Sequence, residues 1–419
     1  MKRVIKENAI FIVIILLISI YYLYRMYFIT PWYDEIYTYI NFIDKGFIYS
    51  ATHWPLPNNH IFFSMLSSIF SIGGIYIGLR GVSLLAAIGT IILLYCFMKD
   101  IFSKNIATVL CLGYSTFILT NSLAVQGRGY SLATFFLMLA ICCSYRICCK
   151  EAGRAEYVIW CISLWFGLYT LVTSVYWVVA ICLCSGIILL IVKKYGELLK
   201  LVLSSVIAAV MTLLSYAIMW FSIGAQQIST DVTTGYYGAD IWFLIKEFPR
   251  TCLMRGIEFM TSDSNVQGIE REAFLRDFKY FARDILRSFF GEPNMWYYYC
   301  LVGAVVITLV IFIICVIRKK VDGKYLYILA LSSIGFLGIY LTLLIQSSYP
   351  FTRVFSFLGI FLIMLFSILL GAVVKAVTRL IKQEVIVRFA FVIPIICMII
   401  SAFVLTDVRH MNEYDCSDY

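Results

Sequence analysis

Two adjacent carboxylates, Asp34 and Glu35, follow closely on a long apolar run. An acid beside a membrane segment is costly unless it is solvated, paired or used. A carboxylate so placed can take the proton from a hydroxyl as that hydroxyl attacks carbon. Plain helix chemistry is an alternative: Pro31 to Glu35 reads as a first turn, where acids complement the helix dipole. Downstream, Pro57-Asn58-Asn59-His60 leads into a second apolar stretch. Asparagine is an N-cap residue type, and His60 could orient a carboxylate, bind a cation with Asp34 or touch a phosphate. A structural role explains one interfacial histidine equally well. Asp34, Glu35 and His60 are the groups that would hold a divalent cation such as Mg or Mn, and the sequence leaves that use open.

Arginines complete the set of reactive residue types. Arg128 lies between two glycines in QGRGYSL, Arg353 ends YPFTR after Tyr349, and Arg80 heads another apolar run. Glycine lets a backbone or ligand come close, and the guanidinium fork matches phosphate oxygens. Each arginine could instead snorkel to lipid headgroups.

These residues need a frame, and composition says what kind. The chain has 419 residues, 62% hydrophobic and 14% charged, with a mean hydropathy of +0.91. Soluble domains carry about 25% charged residues, so an all-α integral membrane protein is expected. Residues 9–29 form a run of spanning length without a small-residue cleavage site, and they read as an anchor. Further spans are expected near 80–98, 105–122, 131–147, twice within 157–192 with the turn at Thr173-Ser174, then 201–221, 296–317, 325–346, 354–374 and 389–405. That makes eleven transmembrane helices on this reading of the sequence. Residues 61–73 are apolar but short and read as an interfacial helix in the first outer loop. Basic residues gather on the turns this count puts inside, including Lys99, Lys104, Lys150, Lys193 and Lys194. The positive-inside rule then places the N-terminus in the cytoplasm and the Asp34 loop outside a cell membrane. Topology thereby accounts for the net charge of +9, and no nucleic-acid partner is implied. The fourteen cysteines lie mostly in apolar runs, where cysteine behaves as a small hydrophobe.

The chain divides into a membrane module over 1–221 with a chemical loop at 30–60, an outer loop of about 70 residues over 222–295, and a second membrane module over 296–419. Within the large loop, Phe274, Phe278, Phe281, Ile285 and Phe289 recur at helical spacing opposite Arg276, Lys279, Arg283 and Arg287. Such a helix can lie on anionic lipid or serve as a lid over the first loop.

Arg128 and Arg353 both fall on the outer side, which normally avoids positive charge. A carboxylate with paired arginines at a lipid–water boundary suits sugar transfer from a lipid phosphate. The acid accepts the acceptor proton and the arginines hold the departing phosphate. The chain resembles the GT-C polyprenyl-phosphate-dependent glycosyltransferases, within them the protein O-mannosyltransferase and lipid A aminoarabinose transferase branch. WYDEIYTY, PNNHIFFSML, LRGVSLLAAIGTIILLYCFMKDIF and QGRGYSLATFFLMLA carry the resemblance, all within residues 1–150. It implies a catalytic role for Asp34 and Glu35, with Asp34 as base. It also implies donor-phosphate or carboxylate contacts for Arg128 and Tyr130, with a looser match at Arg353. Tyr349, His60, Asn59 and Arg80 complete the expected substrate-binding set. Asn-Asn-His stands here where many relatives carry His-Pro-Pro.

The implied activity moves a sugar from a polyprenyl-phosphate donor, itself a membrane lipid, to an extracytoplasmic acceptor lipid, cell-wall glycan or protein. Two other classes compete. A polysaccharide polymerase or ligase would use diphosphate-linked glycans and arginines of the large loop. A transporter or flippase would place ionisable or helix-breaking residues mid-membrane, often in repeated halves; the spans here are nearly charge-free at their centres and no repeat is visible.

Overall fold

The computed structural model describes residues 8–53, 59–230, 249–258, 271–291, 294–318 and 322–380. The expected last span at 389–405, the tail after it, Pro55, Pro57 and Asn58 lie outside the described residues. The described chain is helical, with eight helices long and apolar enough to cross a membrane. This is a multi-pass, all-α membrane protein.

Helix α1 (Ala9–Phe28) is the first of these. A short loop then folds back through α2 (Tyr33–Thr38) and α3 (Phe47–Thr52). Helix α4 (Ile61–Phe70) follows; ten residues rise only ~15 Å, so it lies against the bundle without spanning. Gly74, at φ +112, reverses the chain into α5 (Ile75–Ile101). Of the remaining expected spans, 131–147 appears as α8 (Tyr130–Cys149). The pair within 157–192 appears as α9 (Arg154–Thr170) and α10 (Val175–Ile191), joined by a tight turn at Val172–Ser174. Then come α11 (Tyr195–Thr230), α13 (Met295–Arg318), α14 (Gly323–Ala330) and α15 (Phe336–Gln346), which run on as one helix from Gly323 to Gln346, and α16 (Leu358–Leu380).

The third expected span is corrected by the structure. It stops as α6 (Lys104–Thr116), and Phe117, with ψ 128, turns the chain into the separate α7 (Ile118–Leu123). No glycine or proline marks the break. The ring of Phe117 packs edge-on against Phe289 and Phe290 at 5.6 Å, and that tertiary contact accompanies the change of direction.

Polar side chains tie helices together where lipid would offer no partner. Ser144 bonds Ser185 at 2.5 Å and accepts from the Tyr327 hydroxyl at 2.8 Å, linking α8, α10 and the Gly323–Gln346 helix. The amphipathic segment forms α12 (Arg271–Phe290). Its apolar face is buried on the protein: Phe274 stacks on Tyr349 at 5.1 Å, Phe278 meets Tyr340 at 4.8 Å, and Phe281 meets Phe355 at 5.6 Å. The alternative of that face lying on lipid is therefore set aside, and α12 roofs the end of the bundle that carries the first loop.

Candidate functional site

Adjacent residues on a helix point about 100° apart, so α2 cannot aim Asp34 and Glu35 the same way. Glu35 goes inward and is fully buried. Its Oε2 accepts from the Trp32 backbone N–H at 2.9 Å, capping α2. Its two oxygens also accept the Arg80 fork at 2.8 and 3.0 Å, and Oε1 takes the Gly127 N–H at 2.5 Å. Arg80 spends its remaining nitrogen on the carbonyls of Met26 and Ile29, at 2.9 and 2.7 Å, at the C-terminal end of α1. One buried ion pair thus joins α1, α2, α5 and the turn before α8. Gly127 must be glycine there, since a Cβ would sit 2.8 Å from the Leu79 carbonyl oxygen.

Asp34 turns the other way. Its Oδ2 lies 3.1 Å from Arg353 Nη2 and 4.0 Å from Arg128 Nη2. Arg128 also donates to Thr38 Oγ1 at 3.0 Å, and its Nη2 lies 3.2 Å from His60 Nε2. His60 Nδ1 accepts the Gly129 N–H at 2.8 Å, and the Tyr130 ring meets the imidazole edge-on at 5.1 Å. Asn59 serves the loop itself: it donates to the carbonyls of Ser50 and His53 and accepts from Ser64 at 2.8 Å. Tyr349 donates to the Phe274 carbonyl at 2.7 Å and so seats α12.

Burial, with Arg128 and Arg353 nearby, holds the His60 imidazole well below its ordinary range and keeps it neutral. The unfolded chain binds a proton at about pH 6.5 that the folded chain refuses. Stability contributed here is present above that pH and is lost as pH falls through and below it. The midpoint of thermal unfolding in detergent should therefore drop between pH 7 and 5, with a slope of at most ~1.4 kcal/mol per pH unit from this residue. His60→Asn should flatten that part of the profile, and an unchanged slope in the variant would assign the effect elsewhere.

Beside these groups lies a cavity of about 810 Å³. The first loop, α7, α12 and the segment before α16 wall it. Its basic lining consists of Arg25, Arg80, Arg283, Arg287 and Arg353, against the acids Glu35 and Asp284. Apolar side chains, among them Ile29, Leu119 and Phe351, supply much of the rest. Of the residues expected from sequence, Glu35, Arg80, Tyr349 and Arg353 line it. Asp34, Arg128, Tyr130, His60 and Asn59 do not line it; Asp34 reaches its wall through the contact with Arg353.

Sequence reasoning passed over Arg25, and it named Arg283, Arg287 and Gln126 without placing them in the substrate-binding set. Arg25 is buried in the last turn of α1 and donates to the Asn121 carbonyl at 2.8 Å and to the Asn121 side-chain oxygen. An arginine inside an apolar span was the available signal. Gln126 lines the cavity with a buried side-chain oxygen that lacks a partner among the described residues. Arg283 pairs with its neighbour Asp284 at 2.7 Å.

Asp34, Glu35 and His60 do not form a cation cage in this structure. Glu35 is committed to Arg80, and His60 faces Arg128. Among the described residues no three acids, histidines or cysteines group as metal ligands.

No family model matches the chain, and no curated protein does. Among solved structures it is similar to the crystal structure of ArnT from Cupriavidus metallidurans in the apo state. The TM-score is 0.40 at 12% identity, over 86% of this chain and 75% of that one.

Proposed function

We propose that this protein is a membrane glycosyltransferase that moves a sugar from a polyprenyl-phosphate donor to an extracytoplasmic acceptor. The observation that carries the reading is Arg353, which holds the Asp34 carboxylate at 3.1 Å and also lines the arginine-rich cavity. Base and phosphate-binding groups are thereby next to each other.

The donor phosphate sits in the cavity against Arg353, Arg25 and Arg287, and the first prenyl units lie along Ile29, Leu119 and Phe351. Gln126 accepts a hydrogen bond from a sugar hydroxyl. The acceptor hydroxyl gives its proton to Asp34 while its oxygen bonds the anomeric carbon. The bond from that carbon to the phosphate oxygen breaks, and the electron pair leaves on the phosphate. Arginines preorganised around that oxygen stabilise the charge as it grows. Glu35 and Arg80 position the loop, and Arg128 with His60 holds α2 in place. The acceptor is a lipid, a cell-wall glycan or a protein.

Arg283 and Arg287, both from the large loop, favour a second reading in which the donor is a diphosphate-linked glycan. Mass spectrometry of polyprenyl lipids from cells with and without the gene separates the two. Accumulation of a monophosphate carrying one sugar in the deletion strain supports the first reading and names the sugar. A diphosphate-linked pool points to the second, and an unchanged lipid pool rejects both.

A further inference from the structure

The carboxylate assigned as base is already occupied in this structure. Its Oδ2 faces Arg353 at 3.1 Å, with Arg128 behind at 4.0 Å, and the Asp34 side chain is only 14% exposed. Arg353 lines the cavity and Asp34 does not. Arg353 belongs to the tight Thr352–Phe357 turn that opens α16, and its guanidinium stands 5.0 Å from the Phe351 ring centre. The arginine therefore touches both the base and the space the phosphate would occupy.

We propose that Arg353 is shared between base and donor, so that Asp34 becomes available only when a donor phosphate has drawn the guanidinium into the cavity. This rests on the donor reading above. A phosphodiester offers the guanidinium fork two oxygens in matching geometry. Cleavage turns that diester into a monoester with a further negative charge, so Arg353 gains most at the phosphate as the bond breaks. Such an interaction, stronger in the transition state than before it, lowers the barrier. Arg128 stays behind, so Asp34 does not lose all positive charge when Arg353 leaves. Substrate addition follows in a fixed order, donor first and acceptor second. A hydroxyl that enters without donor meets a carboxylate whose negative charge is held by Arg353.

The test labels the full-length protein in detergent with a water-soluble carbodiimide, which reacts with carboxyl groups not locked in an ion pair. Modification of Asp34 is quantified by peptide mass spectrometry with and without a polyprenyl monophosphate, whose binding is followed separately by its thermal shift. Modification should rise several-fold when the lipid phosphate binds. Arg353→Ala should show the high level under both conditions. A clear thermal shift without any change at Asp34 in the wild-type protein overturns the sharing and leaves the sugar-transfer reading intact. No binding of the lipid phosphate at all removes that reading and this inference with it. The wild-type comparison decides the matter even where Arg353→Ala folds poorly.

Discussion

Asp34→Asn should abolish sugar transfer while leaving a protein that inserts, folds and binds the donor lipid. The substitution keeps the size of the side chain and removes the proton acceptor. A positioned general base is worth about 10²- to 10⁴-fold in rate, so turnover should fall to the limit of detection in most assays. Stability should fall far less than for loss of Glu35, because the Asp34–Arg353 pair is partly exposed while Glu35 carries the fully buried pair. The measurement is transfer of labelled sugar from purified polyprenyl-phosphate sugar, together with the thermal midpoint and donor-dependent thermal shift. Wild-type turnover in a well-folded variant would remove Asp34 from the chemistry. Lost activity with a collapsed midpoint would instead assign it a structural role.

Breaking the Glu35–Arg80 pair should be the most damaging change to the fold. Both side chains are 1% exposed, and removing one partner strands the other as an uncompensated buried charge, at a cost of roughly 3–5 kcal/mol. Arg80→Ala also frees the carbonyls of Met26 and Ile29. The expected result is a large drop in thermal midpoint and in the amount of protein recovered from membranes. Replacing both residues with apolar ones of similar volume should recover part of that loss, because no buried charge remains. The double variant should still be inactive, since Trp32 and Gly127 lose the acceptor that fixes the loop. A single variant with wild-type stability would mean that the pair is solvated in the working protein and does not organise the loop.

Much of the frame was legible in the amino-acid sequence because long apolar runs and basic turns are one-dimensional signals. The turn at Thr173-Ser174 fell where a run too long for one helix had to divide. The break at Phe117 was not legible, because it carries no glycine or proline and goes with ring contacts to α12, more than 150 residues away. The Asp-Glu pair shows another limit. Adjacency in sequence suggested one chemical unit, whereas helix geometry sends one carboxylate to a buried arginine and the other toward Arg353. Arg25 escaped notice because an arginine near the end of an apolar run reads as a snorkelling residue. What keeps it inside is Asn121, which no local pattern links to it. The role of α12 was half legible: periodicity gave its apolar face, but only the fold says that Tyr349, Tyr340 and Phe355 cover that face.

The interrupted third helix has a consequence for how a lipid could reach the arginines. The 13 residues of α6 rise only ~20 Å, against a hydrocarbon thickness of about 30 Å. The chain then turns along the cavity wall as α7, whose Ile118, Leu119, Ser122 and Leu123 line the cavity. Neither α6 nor α7 alone matches that thickness, and on the sugar-transfer reading proposed above their break would serve as a lateral notch for the donor's tail. A long prenyl chain lifted out of the membrane would expose its carbons to water at about 0.8 kcal/mol per methylene-sized group, an impossible sum over dozens of carbons. Sliding in sideways through a notch avoids extraction altogether: the tail stays among its neighbours while the headgroup alone changes surroundings.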